Sequence, residues 1–241
     1  MTKNHARFFQ VFWFTLFLGL GLSLLAAPDA EAYSWDRTLR EGSSGEDVKE
    51  LQIRVAGWAA DSASQTYVAV DGQFGPGTTA AVKRFQRAYG LTADGIVGPS
   101  TQAKLNALES STGTKNFNYS EFYSKDGSGF NGGKVSAATV KENVRRLMYK
   151  LEALRVKAGN KPVTINSGFR SISHNSNVGG ASNSQHMYGI AADVAISGVS
   201  STTVKNIAKT CGFSGIYNES SFAHLDSRVE YPYGAQSWWW Q

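Results

Sequence analysis

An octapeptide occurs twice in this chain, Asp-Gly-Gln-Phe-Gly-Pro-Gly-Thr at Asp71 to Thr78 and Asp-Gly-Ile-Val-Gly-Pro-Ser-Thr at Asp94 to Thr101, with the copies 23 residues apart. It limits what the first half can fold into. In each copy Asp-Gly makes a tight turn, Pro76 or Pro99 is tolerated in the first turn of a helix, and the threonine is available as a cap. The flanking apolar residues recur at helical spacing: Val48, Leu51, Ile53 and Val55 before the first copy, and Ala81, Val82, Phe85 and Tyr89 after it. With a short third helix over Ser-Thr-Gln-Ala-Lys-Leu-Asn-Ala-Leu, residues 37–109 are expected to form a small all-α three-helix bundle. The bundle contains no His, no Cys and no convergent carboxylates, so it points to binding and not to catalysis.

The stretches LREGSSGEDVKELQ, VDGQFGPGTTAAVKRFQ and ADGIVGPSTQAKL resemble the peptidoglycan-binding domain found at the ends of many cell-wall hydrolases. The resemblance implies attachment to the wall. One departure is the long AGWAADSASQTYVAV between the first helix and the first turn, which leaves the loop geometry there open.

Ahead of the bundle, residues 1–32 begin with Lys3 and Arg7, continue through an apolar run from Phe8 to Ala27, and end in Ala30-Glu31-Ala32. That order describes a secretory signal peptide, with an uncleaved membrane anchor as the alternative. If the signal is cleaved, the chain keeps no stable membrane anchor and works outside the cell, in contact with the wall. Cys211 is the only cysteine, so no internal disulfide can form despite the exported setting; it is expected to be a buried small hydrophobe. The net charge of +5 suits an anionic wall surface. Without a dense basic stripe interleaved with aromatics it gives no nucleic-acid signature.

Residues 110–116 are polar and turn-rich and read as a linker. A second domain is expected over 117–235. Val140, Val144, Leu147, Met148, Leu151 and Leu154 define one apolar face of a long helix that starts near Ser136 and stops at Gly159. The short runs PVTINSGF, GIAADVAIS, FSGIYN and SFAHLDSR read as strands, with STTVKNIAKTC as a second helix. The predicted class is α+β with a mainly antiparallel sheet.

Asp193 lies within one of these strands, between Ala192 and Val194, where a lone carboxylate is costly unless paired or bound to a metal. His186 lies just upstream, with Gly189 allowing a turn between them. On another strand Phe222, His224 and Asp226 share a face by the period of two. Read singly, each of these groups has a structural alternative, as a loop histidine, a strand histidine or a buried carboxylate. Together, two histidines and a carboxylate are a hydrolytic zinc set that leaves a fourth position for water.

The order SGFRS, SQHMYGIAADV, FAHLDSR resembles the zinc D-alanyl-D-alanine carboxypeptidases and related cell-wall peptidases. Ser184, His186, Gly189, Ala191 and Asp193 match the family's Ser-x-His-x-x-Gly-x-Ala-x-Asp pattern at every position. The resemblance implies one zinc ion held by His186, Asp193 and His224, and peptidoglycan stem peptides as substrate. It also implies that Arg170 grips a terminal carboxylate or polarises the scissile carbonyl. Several relatives carry an acid three residues before the last zinc histidine, where this chain has Ser221. That leaves Asp226 as the favoured general base, with orientation of His224 as its alternative role, and Glu219 as the second candidate. Ser184 and Tyr217 are expected at the substrate, and Tyr188 is a further candidate for the cleft. His174 is expected outside the ligand set. The aromatic tail over 236–241, with Trp238, Trp239 and Trp240 in succession, is expected to pack back onto the domain away from the active site, or else to touch the wall.

The leading reading is a secreted zinc metallopeptidase that removes a terminal D-alanine. An endopeptidase cutting cross-links or stems, and a non-catalytic wall-binding protein with a degenerate peptidase domain, are the alternatives.

Overall fold

The computed structural model describes residues 33–241, so the signal-peptide expectation for residues 1–32 lies outside the described residues. Helix α1 (Glu46–Arg54) runs into a 3-10 turn at Ala56–Trp58, and helices α2 (Pro76–Ala88) and α3 (Pro99–Asn106) each begin at the proline of an octapeptide. The repeat has a physical cause. Gln52 of α1 directs its Nε2 at Asp71 Oδ1 (2.8 Å), Gln73 O (3.0 Å) and Thr78 Oγ1 (3.2 Å), and its Oε1 accepts from Gly72 N (2.9 Å). Gln86 of α2 repeats the pattern with Asp94 Oδ1 (3.0 Å), Ile96 O (2.9 Å), Thr101 Oγ1 (3.1 Å) and Gly95 N (2.9 Å). A buried amide is tolerated only when its donors and acceptor are met, and both glutamines are 1% exposed. Each helix therefore clamps the turn that starts the next.

The threonines are partners of these glutamines and not caps: the N-caps are Gly75 and Gly98, with no side-chain cap bond. The all-α expectation also needs amending. Isolated bridges pair Leu39 with Val97 and Ser44 with Gln73, because the chain before α1 runs alongside both turns.

Gln52 and Asp71 are 19 positions apart, against 8 for Gln86 and Asp94. The surplus is the stretch whose geometry the sequence leaves open. It forms the contact with the second unit, chiefly with helix α4 (Ala137–Lys157). A Cβ on Gly57 would stand 2.4 Å from Ala153 Cβ, so only glycine permits this approach. Ala60 N donates to Thr210 O (3.1 Å) and Ser64 N to Lys209 O (3.3 Å).

Helix α4 opens at Ser136, whose Oγ accepts from Thr139 N (3.1 Å), as the sequence predicts. Its predicted apolar face packs in the second core, while Tyr149 and Ala153 on its other side belong to the first. Arg54 is buried between Glu50 (2.5 Å) and Glu109 (2.6 Å), and Arg145 of α4 also pairs with Glu50. The two units thus share a helix and an ion-pair network. The expected linker is itself ordered, as strands β1 (Glu109–Ser110) and β2 (Gly113–Thr114). Buried Glu152 holds it, accepting from Thr114 Oγ1 (2.7 Å), Asn116 N (2.8 Å) and Asn116 Nδ2 (2.7 Å).

The second unit is α+β. Strands β3 (Val163–Ser167), β4 (Ala191–Ile196), β5 (Gly215–Asn218), β6 (Ala223–Asp226) and β7 (Trp239–Trp240) form one sheet in the order β3-β4-β6-β5-β7. The first four are antiparallel neighbours and β7 lies parallel to β5. A short helix α5 (Ile172–Asn177) follows β3, and α6 (Ser201–Ala208) joins β4 to β5. Ala192, Val194, Ile216, Ala223 and Leu225 enter the core with α4 and α6. Successive side chains alternate faces, so Asp193, Tyr217, His224 and Asp226 stand on the other side.

Candidate metal centre and catalytic cleft

Register puts the functional groups in two cross-strand rows. Asp193 pairs with His224 and His224 with Tyr217; one step along, Asp226 pairs with Gly215 and Gly215 with Trp239. Asp226 takes the space that Gly215 leaves, since a Cβ there would stand 2.1 Å from Asp226 Oδ2. His186 comes from a 3-10 turn, Gln185–Tyr188, closed by Gly189 in the left-handed region at φ 73°. A side chain would be strained at that φ and would also press on Val140, with its Cβ 2.9 Å from Cγ1. The turn swings His186 back over β4.

Three atoms converge. His224 Nδ1 lies 2.8 Å from Asp193 Oδ1, and His186 Nε2 lies 3.3 Å from that same oxygen and 3.2 Å from His224 Nδ1. Each ring is held from behind: His186 Nδ1 donates to Gly168 O (2.6 Å), and His224 Nε2 donates to Asp226 Oδ2 (3.1 Å). These outer bonds fix which nitrogen of each ring faces the cluster. The second oxygen of Asp193 accepts from Arg170 Nη2 (2.7 Å), while Arg170 Nε donates to Ser167 Oγ (2.9 Å).

The charges follow from this packing. Burial keeps His186 below its usual pKa and neutral. Burial alone would also lower His224, but the bonds to Asp193 and Asp226 raise it to about 9. For Asp193 burial acts upward, yet His186 and His224 together hold the carboxyl well below the carboxylate range. Asp226 is likewise pulled down, against its burial, to about 2 by His224 and Arg228.

Two imidazole nitrogens and one carboxylate oxygen, all within 4.8 Å of one another, could hold a single divalent cation. The chemistry fits zinc: both rings are backed by an acceptor and the one anionic ligand is itself steadied by a guanidinium.

The cluster lies in a cleft of about 610 Å³ lined by Arg170, Ser184, Tyr217, Phe222, Arg228 and Trp239 among others. A groove of similar volume runs between the two units, where Arg84 and Arg87 pair with Asp61 within its own lining. Among the described residues, the cleft of the His186, Asp193 and His224 cluster is the one that combines space with convergent metal-binding groups.

Most of the residues singled out in the sequence meet at this cleft. Ser184 lines it as the N-cap of the 3-10 turn, though no hydrogen bond joins its hydroxyl to the cluster. Asp226 shares the face of His224 as expected but is fully buried behind the ring. Its Oδ1 accepts from Arg228 N (3.0 Å) and its Oδ2 from Arg228 Nη2 (2.6 Å). Glu219 is exposed at the strand end and accepts from Tyr217 Oη (2.8 Å). Tyr188 turns away from the cleft to stack on Tyr233, and His174 sits on α5 outside the cluster. The tail departs from expectation: Trp240 packs on the core, whereas Trp239 lines the cleft. A strand of two residues carries no periodic signal that could have announced this.

Fold and cleft together define a two-unit protein whose second unit carries a hydrolase-type metal centre. Residues 115–226 match the family model described as Peptidase M15, and residues 44–105 match the putative peptidoglycan binding domain. A zinc D-Ala-D-Ala carboxypeptidase of Streptomyces albus G is 47% identical over 230 residues, covering 88% of this chain and 89% of the relative. The chain belongs to the peptidase M15 family. Other proteins match smaller parts of the chain. A spore cortex-lytic enzyme of Halalkalibacterium halodurans is 38% identical over 109 residues, 43% of this chain and 28% of that protein. A solved peptidoglycan-binding protein from Clostridioides difficile is 40% identical over 30% of this chain and 42% of its own, with a TM-score of 0.26.

Proposed function

We propose that this protein is a secreted, zinc-dependent carboxypeptidase that removes the terminal D-alanine from peptidoglycan stem peptides, held at the wall by residues 37–109. The observation that carries the reading is the convergence of His186, Asp193 and His224 beside Arg170 in an open cleft. The similarity to the Streptomyces enzyme over nearly the whole length of both chains supports the substrate. Among the described residues no helix is long and apolar enough to cross a membrane.

In this reading His186 Nε2, His224 Nδ1 and Asp193 Oδ1 hold the zinc. When bound, zinc polarises the scissile carbonyl and makes water a nucleophile near neutral pH. Arg170 receives the substrate's terminal carboxylate, a charge-assisted contact that orients the peptide. Asp226 has both oxygens engaged, so we assign it to orienting His224. Proton transfer falls to Glu219 through Tyr217, whose ring lines the cleft. The wall-binding unit raises the local concentration of substrate without touching the bond to be cut.

Free-acid and amidated forms of one D-Ala-D-Ala peptide test the assignment. A carboxypeptidase loses activity on the amide; equal rates on both would make the enzyme an endopeptidase.

The raised pKa of His224 predicts how zinc and protons compete. With metal removed, the proton on His224 Nδ1 is shared toward Asp193 and His186, where the cation would sit. Zinc binding at pH 7 therefore releases about one proton, and affinity rises about tenfold per pH unit until it levels off near pH 9. Calorimetry in buffers of different ionisation enthalpy reads the proton directly. The same shift stabilises the metal-free fold fully below the ordinary histidine pKa, and that contribution is lost as pH rises through about 9.

A further inference from the structure

The run Trp238-Trp239-Trp240 is divided by its strand. Trp239 N donates to Ser214 O (2.8 Å) and Gln241 N to Ile216 O (2.8 Å), which sets β7 beside β5. Trp240 points inward against the core, and its Nε1 donates to Phe213 O (3.1 Å). By the alternation of a strand, Trp239 then faces the opposite way, into the cleft. There its ring lies nearly parallel to that of Tyr217, with centroids 5.8 Å apart and planes at 17°, and edge-on to His224 at 6.4 Å. The Arg228 guanidinium, which grips Asp226, lies 4.7 Å from the Trp239 centroid. Trp239 is therefore fixed by three contacts while remaining partly open to the cleft.

We propose that Trp239 and Tyr217 form an aromatic wall of the active cleft that packs on a methyl-bearing D-alanine at the end of the substrate, making the C-terminal strand part of the specificity site. This rests on the carboxypeptidase reading above. Arg170 lies on the far side of Asp193, on the chain leaving β3, whereas the aromatic pair stands on β5 and β7 beyond His224. The charged end of the substrate and its apolar flank thus meet different walls. The rings offer a flat apolar surface next to the metal-binding cluster, and a methyl group placed against it is removed from water at a gain of about fourfold in affinity. A polar or charged group at that position would lose its hydration there.

The experiment uses the full-length protein with zinc restored, and compares Trp239→Ala, Trp239→Phe and, as a control outside the cleft, Trp238→Ala. The substrates are a D-Ala-D-Ala peptide and the two peptides in which one or the other terminal D-Ala is replaced by Gly. Trp239→Ala is expected to raise KM about tenfold with kcat within about twofold and one zinc per chain retained, and to erase most of the preference for D-Ala over Gly at one of the two positions. Trp239→Phe keeps an aromatic face and recovers most of both. If KM and the D-Ala preference stay as in the parent, or if Trp239→Ala acts only by lowering kcat or losing zinc, the wall is a support for Asp226 and His224 and the proposal falls. Equilibrium binding of the same three peptides to the zinc-free protein reads the wall without turnover. A parent protein that binds with the D-Ala preference but does not cleave would fail the carboxypeptidase reading alone.

Discussion

Asp193→Ala is expected to lose zinc, and with it activity, by about a thousandfold or more. Asp193 is the one anion among the three converging groups, and its two oxygens face His186, His224 and Arg170. Removing it takes away the one anionic group and leaves the Arg170 guanidinium facing the two ring nitrogens that would hold the cation. A thousandfold loss of affinity corresponds to about 4 kcal/mol, three factors of ten at about 1.4 kcal/mol each. Asp193→Asn preserves the shape but not the charge and should fall nearly as far. Zinc content after gel filtration, measured beside the rate on a D-Ala-D-Ala peptide, checks both. Full occupancy at an unchanged rate would remove Asp193 from the metal centre.

The second large effect is expected at Arg170. Arg170→Ala should lower kcat/KM by about a hundredfold to a thousandfold, the range seen when one donor to a developing or fixed negative charge is deleted. Zinc should stay bound, because both histidines still face Asp193 Oδ1. Arg170→Lys should recover little, since an ammonium does not match the planar pairing of a guanidinium with a carboxylate. The loss should be larger on the free-acid peptide than on its amide if the guanidinium holds the terminal carboxylate. An equal loss on both would assign Arg170 to steadying Asp193.

What could be read from sequence follows from how local each signal is. Two members of the candidate ligand set are legible because β4 and β6 alternate cleanly: Asp193 interrupts an apolar strand, and His224 occupies the matching face of its neighbour. The long helix is legible from its apolar residues at helical spacing between Ser136 and its glycine stop. The octapeptides announced turns and helices, but not that Gln52 and Gln86 hold them, because each glutamine lies far from its turn in sequence and only packing brings the two together.

Asp226 illustrates a direction that periodicity cannot supply. Its face was correct, yet Arg228 two residues on folds back over it, so the carboxylate serves His224 from behind. The stretch over 110–116 reads as a linker in sequence because Thr114 and Asn116 look solvated until Glu152 of α4 is placed beneath them. The position of Trp239 is not legible in the sequence because the parallel pairing of β7 with β5 depends on a long return of the chain.

One zinc ion at His186, Asp193 and His224 is the central requirement of the proposed chemistry. Its most direct test is titration of zinc into chelator-stripped protein while the release of D-alanine from a D-Ala-D-Ala peptide is followed. The rate should be negligible without metal, rise in proportion to added zinc and level off at one equivalent per chain. D-alanine release that survives removal of the metal would rule out the zinc chemistry.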